Sequence, residues 1–269
     1  MSGIDEMGHK VTKLDGDDSP DRTVNMDVPA ETEWSGSEPD VVEDGDMEVA
    51  STSADGQPFR VSRVLKVLSD PTGVQSSAVG ALRNHLTQQH LSLGRRSLAI
   101  CSVSNDVNRS YVSASLAIAA AQSGASTVLI DANLREPELE TYFRSDMEKP
   151  GLSELLSGQV DSMQSVVSSD ILPNLSLVHA GKPPTDPQSL LSGKRFEEFI
   201  AAMMRSYDFT IVDCPSARHS SDARRISSVV RYALIVTKQD VTYVADVKNL
   251  ISELNADRVN VVGTFLNVD

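Results

Sequence analysis

The 269-residue chain has few of the residues that mark secreted, membrane-spanning or nucleic-acid-binding proteins. It holds two cysteines, Cys101 and Cys214, which favours a reducing compartment. Because each closes an apolar run, we expect buried thiols rather than a redox pair. No run of about 18 apolar residues and no basic-apolar leader occurs, so we expect a cytoplasmic protein. Aromatic residues make up only 4% and do not alternate with basic residues, so we expect no nucleic-acid partner.

Histidine is also scarce, and its spacing excludes the common zinc patterns. The five histidines form no i,i+4 pair and no Cys/His cluster. We therefore predict no metal role for any of them, and we expect His85 and His90, which fall in a helical pattern, to be surface residues.

Negative charge is concentrated at one end of the chain. Residues 1–59 contain 16 Asp/Glu and 3 Lys/Arg, a net charge of −13, whereas residues 60–269 contain 22 acids and 21 bases, a net charge of −1. Because the first segment has little apolar sequence to bury, we predict a disordered acidic tail over 1–59 and one folded domain over 60–269. The tail is either a solvated leader or a docking arm for a basic partner surface. Its charge argues against its binding nucleic acid or an anionic membrane.

The folded part alternates short apolar runs with helical patterns, which indicates a doubly wound, mostly parallel sheet of the α/β class. The predicted strands cover 97–102, 127–130, 175–178, 209–212, 233–236 and 259–266. The predicted helices cover 112–122, 152–156, 195–205, 226–229 and 247–254. Ligands bind such sheets beyond the carboxyl ends of the strands, so residues that follow each strand are the candidate site residues.

The loop after the first of these strands has the frame of a phosphate-binding P-loop without its usual residues. A working loop reads G-x4-G-K-S/T, where glycines let backbone N–H groups approach phosphate, lysine contacts phosphate oxygens and the hydroxyl binds Mg²⁺. Here Asp106 and Asn108 stand near glycine positions, Arg109 replaces the lysine, and Ser110 is kept. Ser110 could equally be an ordinary helix N-cap.

Two acidic residues end buried strand patterns at the same predicted edge. Asp131 follows 127–130 and Asp213 follows 209–212. A buried carboxylate is costly unless it is paired or close to a metal. Beside a P-loop frame, two of them favour an ancestral metal-nucleotide site.

These motifs resemble the cytoplasmic ATPase domain of bacterial tyrosine kinases of exopolysaccharide synthesis, over residues from about 68 to 268. Within that family, the sequence most resembles the stand-alone chain-length-determinant kinases. Their P-loop ends in Arg-Ser-Tyr, as Arg109-Ser110-Tyr111 does here. The matching segments are LIDANLREP (129–137), GLSELLSG (151–158), AGKPPTDPQSLL (180–191), YDFTIVD (207–213) and GTFLN (263–267). The resemblance implies a P-loop NTPase fold of the MinD/ParA type.

The resemblance also implies roles for individual residues. Asp131 and Asp213 take the catalytic positions, and both are expected, with Ser110, to hold Mg²⁺. The nucleotide is expected to contact Asn108, Arg109, Ser110 and Tyr111. ATP and Mg²⁺ are the implied cofactors.

Several departures from the family pattern predict weak nucleotide binding. A carboxylate at Asp106, about 4 Å from phosphate at an effective dielectric near 20, opposes binding by roughly 4 kcal/mol, on the order of a thousandfold in affinity. Asn133 replaces the second carboxylate of the Asp131 motif. Two further departures concern other properties of the family. The chain has no tyrosine-rich tail to accept phosphate. The ring-forming E-x2-R-x2-R motif is reduced to Ser77, Gly80 and Arg83, so we do not expect ring assembly through this helix.

Three functions stay open on the sequence alone. The first is a degenerate kinase, or pseudokinase, that assists assembly of a capsule, slime or holdfast polysaccharide. It would dock on the cytoplasmic face of a membrane chain-length-determinant subunit, and self-association is a further option. The second is an active ATP-dependent tyrosine kinase of the same pathway. The third is a partition-type positioning ATPase, against which the Pro183-Pro184 segment argues.

Overall fold

The computed structural model describes residues 47–56, 58–145, 147–218 and 221–268. Its strands are β1 (Met47–Thr52), β2 (Pro58–Ser62), β3 (Ser97–Ser102), β4 (Thr127–Asp131), β5 (Phe143–Ser145), β6 (Ser168–Leu172), β7 (Leu175–Val178), β8 (Phe209–Asp213), β9 (Tyr232–Lys238) and β10 (Asn260–Asn267). Its helices are α1 (Lys66–Ser69), α2 (Val74–Gln89), α3 (Arg109–Gln122), α4 (Leu152–Ser157), α5 (Pro187–Ser192), α6 (Lys194–Ser206), α7 (Asp222–Val230) and α8 (Val244–Ala256).

Seven strands form the central sheet, in the order β10-β9-β3-β8-β4-β7-β6. All pairs are parallel except β6 with β7, which is antiparallel. The strands β3, β4, β7 and β8 are buried along their whole length because helices cover both faces of the sheet. The fold class predicted from the sequence is confirmed, and every predicted strand and helix is present with its ends shifted by no more than four residues.

Two hydrophobic cores lie on the two faces of the sheet. One contains side chains of α2 and α3, and the other contains side chains of α6, α7 and α8. Helix α3 is built almost wholly of alanine, serine and aliphatic residues and is buried on nearly every side. Small side chains let it lie closely between the sheet and α2, which fixes the helix that begins at the P-loop.

An antiparallel hairpin corrects the predicted boundary of the folded domain. Strands β1 and β2 pair with each other, and β2 pairs with β5 in a separate three-stranded sheet. Phe59 and Val61 are buried in the core on the α3 side. Residues 47–56 and 58–59, assigned above to the tail, therefore belong to the folded part. The predicted disorder of 1–46 concerns residues outside those described.

Two further expectations about buried residues have different outcomes. His90 is buried at the end of α2, where its Nε2 lies 2.9 Å from Ser97 O, so its prediction as a surface residue is wrong. Burial lowers its pKa. Cys101 and Cys214 are both free thiols and both buried, as predicted. In the described part of the chain, no helix is both long enough and apolar enough to cross a bilayer.

The start of α4 lies directly against the segment that opens the proline-rich loop. Glu154 Oε2 accepts a hydrogen bond from Gly151 N (2.9 Å), and its Oε1 accepts one from Lys182 N (3.1 Å). Gly151 and Gly181 approach so closely that a methyl group on Gly151 would lie 2.3 Å from Gly181 N. This contact explains physically why two separate sequence motifs each carry a glycine.

The close approach predicts that Gly151→Ala destabilises the domain. Either the backbone of Gly181 or that of α4 must move, and overpacking of this kind costs about 1–3 kcal/mol. The matched control is Gly80→Ala in α2, where no atom lies within 4 Å of the added methyl group, so a gain of roughly 0.5–1 kcal/mol is expected. Chemical denaturation of the three proteins measures both effects, and equal stability of the two variants would contradict the described contact.

Candidate functional site

The degenerate P-loop connects β3 to α3 at the carboxyl edge of the sheet. Asn108 adopts a left-handed conformation (φ 55°, ψ 39°) immediately before the helix begins at Arg109. Asparagine tolerates this conformation better than most residues, so the loop keeps a turn that glycine usually makes. Asn108, not Ser110, is the residue that precedes the helix, so the interpretation of Ser110 as an ordinary N-cap is wrong.

The side chain of Arg109 points into the domain and is only 1% exposed. Its Nε donates a hydrogen bond to Asp213 Oδ1 (3.1 Å), and its Nη1 donates to Ser102 Oγ (3.2 Å). Its Nη2 lies 3.3 Å from Ser110 Oγ and 3.7 Å from Glu138 Oε2. The guanidinium fork therefore joins the end of β8, the end of β3 and the start of α3.

Asp213 is the acceptor at the centre of this network. Its Oδ1 accepts from Arg109 and from Ser113 Oγ (2.7 Å), and its Oδ2 accepts from Ser110 Oγ (2.7 Å). Ser110 Oγ also lies 2.5 Å from Glu138 Oε2. Because a hydroxyl carries one proton, Ser110 donates to only one of these two carboxylates at a time.

Asp131 lies beside Asp213 because the two residues are register partners on β4 and β8. Its carboxyl group accepts hydrogen bonds from Asn133 N (3.0 Å) and Leu139 N (3.2 Å). Burial and, after it, the charge of Asp213 raise the pKa of Asp131 to about 8. At neutral pH, Asp131 is therefore mainly protonated.

The charges of the site nearly balance. Burial alone would lower the pKa of Arg109, but the negative charges of Asp213 and Glu138 outweigh it and hold that pKa above its ordinary value. One guanidinium thus faces one buried carboxylate and one 40% exposed carboxylate, Glu138. The protonated form of Asp131 adds no further charge, which allows three acidic residues to share one edge of the sheet.

The structure shows where two of the residues that depart from the family pattern lie. Asp106 is exposed on the loop and, among the described residues, contacts none of this network, so the repulsion expected from it stays a prediction. Asn133 does not face the other site residues: its Nδ2 donates to Glu136 O and its Oδ1 accepts from Glu136 N (3.3 Å), which closes a local turn.

The structure brings together most of the predicted site residues but not all of them. Arg109, Ser110, Asp131 and Asp213 lie in one cluster. Tyr111 lies apart: its hydroxyl donates to Gln75 Oε1 (3.1 Å) on α2 and accepts from the backbone N–H of Lys66 (3.3 Å). The predicted contact of Tyr111 with a nucleotide therefore has no support in this geometry.

Three residues of the cluster were not predicted as site residues from the sequence, namely Ser102, Ser113 and Glu138. The available signals were weak: Ser102 ends the predicted strand, Ser113 lies one helical turn after Arg109, and Glu138 follows the Asp131 motif. Their places in the cluster follow from contacts with Arg109, Ser110 and Asp213 that the sequence does not show.

The cluster does not fit Mg²⁺-ATP as it is arranged. The hydroxyl and carboxylate that would hold the metal bind each other, and the cation that would contact phosphate points at Asp213 instead. Within residues 47–268 as described, no group of three or more His, Cys, Asp and Glu side chains is arranged to hold a metal ion.

Comparison with known proteins places the domain. No family model matches the chain. It is 31% identical over 193 residues to the tyrosine-protein kinase ptk of Acinetobacter johnsonii, an alignment that covers 71% of this chain and 26% of the relative. The structure superposes on the kinase domain of the Escherichia coli tyrosine kinase ETK with a TM-score of 0.69 and 27% identity, over 76% of this chain and 79% of that one. The chain belongs to the bacterial tyrosine-kinase family.

The kinase-family domain also shares its fold with positioning ATPases. The septum site-determining protein MinD of Pyrococcus horikoshii, solved with Mg-ADP, matches with a TM-score of 0.56 and 19% identity over 64% of this chain and 70% of that one. At this identity the likeness concerns the fold alone, and it confirms the predicted P-loop NTPase architecture. The chain spans about a quarter of the length of the first curated relatives it matches.

The buried ion pair predicts a large effect of Arg109→Ala on stability. Removal of the guanidinium leaves Asp213 buried and unpaired, which costs about 3–5 kcal/mol in unfolding free energy. The control is Asp106→Ala on the same loop, which is exposed and should change stability by less than about 0.5 kcal/mol. In urea denaturation, the double variant Arg109→Ala/Asp213→Ala should lose less than the sum of the single losses. Additive losses would show that the two side chains do not interact.

The raised pKa of Asp131 predicts a pH dependence of stability. A carboxyl group whose pKa is higher in the folded state binds its proton more tightly there, so its favourable contribution is complete below about pH 4 and is lost as the pH rises towards 8. Unfolding free energies of the parent and of Asp131→Asn, measured across this range, give the contribution of this group. The parent should lose stability relative to Asp131→Asn as pH rises, and parallel curves would contradict the shift.

Proposed function

We propose that this chain is an accessory protein of exopolysaccharide assembly that works as a pseudokinase. It docks on the cytoplasmic face of a membrane chain-length-determinant subunit and acts through binding rather than through phosphoryl transfer. Membership of the tyrosine-kinase family supports the pathway. The site geometry supports the loss of catalysis.

The burial of Arg109 carries the proposal. For phosphate and Mg²⁺ to enter, Arg109 must leave Asp213, and Ser110 must leave its carboxylate partners. Breaking a buried ion pair without replacing it costs about 3–5 kcal/mol. That cost lowers nucleotide affinity by roughly two to four orders of magnitude. The loss is similar in size to the one expected from Asp106, but its physical origin is different.

An active tyrosine kinase is the second candidate. One observation favours it: Ser110, Asp131 and Asp213 lie together at one edge of the sheet, where a kinase would need them. In that case Arg109 must turn outward when nucleotide arrives, and the new phosphate contacts must offset the broken ion pair. A partition-type ATPase has weaker support, because its likeness lies in the fold alone and the Pro183-Pro184 segment argues against it.

The location follows from the proposed partner. We expect the chain at the inner face of the cell membrane, held there by a membrane subunit of the polysaccharide machinery. Ring formation through α2 is not part of the proposal, because Ser77 and Gly80 replace two charged residues of the ring-forming motif.

Nucleotide titration tests the pseudokinase proposal. A fluorescent ATP analogue with Mg²⁺ should bind the parent weakly, whereas Asn108→Gly/Arg109→Lys should bind about a hundredfold or more tightly, because the shorter, unforked lysine releases Asp213. Adding Asp106→Gly to that variant should change affinity little, since Asp106 is exposed. Phosphotyrosine should not appear on the parent after incubation with Mg²⁺-ATP.

Two results would decide against the proposal. Micromolar binding by the parent, with no gain in Asn108→Gly/Arg109→Lys, would show that Arg109 does not obstruct the site. Phosphotyrosine on the parent that disappears in Asp213→Asn would establish the active kinase instead.

A further inference from the structure

The edge of the sheet opposite the P-loop carries a row of arginines. Arg96 directly precedes β3, Arg231 directly precedes β9, and Arg258 lies two residues before β10. These three strands are neighbours and parallel, so their amino ends lie side by side at a spacing of about 5 Å per strand. Arg95 completes the row, which we call the arginine edge.

Two of these arginines occupy backbone positions that disfavour them. Arg231 has φ 77° and Arg258 has φ 61°, the left-handed region at the ends of α7 and α8. Glycine or asparagine usually takes this position, and other residues pay about 1 kcal/mol or more. Backbone conformation therefore does not account for the choice of arginine at either position.

The arginine edge is exposed, and its charge is not neutralised locally. Arg96, Arg231 and Arg258 are exposed, and across the described part of the chain none of them lies within 4 Å of a carboxylate. Arg95 is half-buried with its guanidinium over the Tyr232 ring (5.2 Å to the centroid).

Two acidic residues at the same edge have partners of their own. Asp257 is held by Arg224 through two hydrogen bonds of 2.7 and 2.9 Å. Asp208 accepts a hydrogen bond from the uncharged Ser126 N (3.2 Å) and keeps its negative charge, which is outnumbered by the four arginines of the edge. The edge therefore keeps a positive charge, although residues 60–269 as a whole have a net charge of −1.

An exposed apolar side chain adjoins the charged row. Leu93 is 62% exposed in the short turn that precedes Arg95, and Gly94 makes that turn in the left-handed conformation. This combination is complementary to the surface of an anionic bilayer. The arginines can contact the lipid phosphates, and the leucine can enter the hydrocarbon just below them. An acidic peptide without apolar side chains would leave Leu93 uncovered.

We propose that the arginine edge, with Leu93, binds the surface of an anionic lipid bilayer. Each arginine near such a surface contributes roughly a fivefold increase in partitioning. The contact orients the domain with its amino-terminal sheet edge on the membrane. The membrane contact uses none of the residues of the P-loop site. It can therefore be tested independently of the proposed pseudokinase function.

Vesicle co-sedimentation of the full chain tests this contact. Binding is expected to vesicles that contain phosphatidylglycerol, to be absent from pure phosphatidylcholine vesicles, and to fall as salt rises. The variants Arg231→Asn and Arg258→Asn should each lower partitioning about fivefold without lowering thermal stability, because asparagine suits the left-handed backbone. Leu93→Ala should weaken binding at every salt concentration.

The matched control is Lys194→Gln, which removes one positive charge at the first residue of α6. It should bind vesicles like the parent. Equal losses in Lys194→Gln and Arg231→Asn would reduce the effect to net charge and overturn the proposal, as would parent protein that does not sediment with phosphatidylglycerol vesicles.

The single tryptophan, Trp34, reports on one competing occupant because it lies in the acidic tail. If Arg231→Asn and Arg258→Asn shift the Trp34 emission of the free protein and leave vesicle binding unchanged, the arginine edge holds the chain's own tail and the lipid proposal is wrong.

Discussion

The ion pair between Arg109 and Asp213 is the constraint on which the rest of the site depends. Asp213 ends a strand that is buried on both faces, so its charge needs a partner inside the domain. The guanidinium supplies it and, with its remaining N–H groups, reaches Ser102 and Ser110 as well. A lysine in this place has no planar fork and could not join three elements in the same way. Arg109 thus compensates the buried charge of Asp213 from within the domain.

Much of the fold could be predicted because its strands and helices have clear periodicity. Strand β3 and strand β7 have the predicted bounds because each is a short, mainly apolar segment of four to six residues that ends at a loop. The hairpin of β1 and β2 could not be predicted, since β1 adjoins the acidic tail and neither strand contains an apolar run of more than two residues. Its burial depends on β5, which lies more than eighty residues later in the chain.

The candidate site was only partly predictable for a related reason. Sequence position identified Arg109, Ser110, Asp131 and Asp213, since each follows or begins a strong element. Sequence position does not show in which direction a side chain points. Tyr111, next to Ser110, faces α2, and Asp106 is exposed to solvent. The effect of a substitution depends on where its side chain points, and the inward direction of Arg109 follows from the buried carboxylate of Asp213 rather than from a local sequence pattern.

The common direction of the central strands gives the domain two chemically different ends. At about 3.3 Å per residue, the six residues of β3 separate the arginine edge from the P-loop by roughly 20 Å. A domain that rests on a bilayer by one end therefore holds the other end at a fixed height above the lipid headgroups. Any transmembrane protein that contacts the loop must extend at least that far into the cell interior, which sets a minimum length for its cytoplasmic segment.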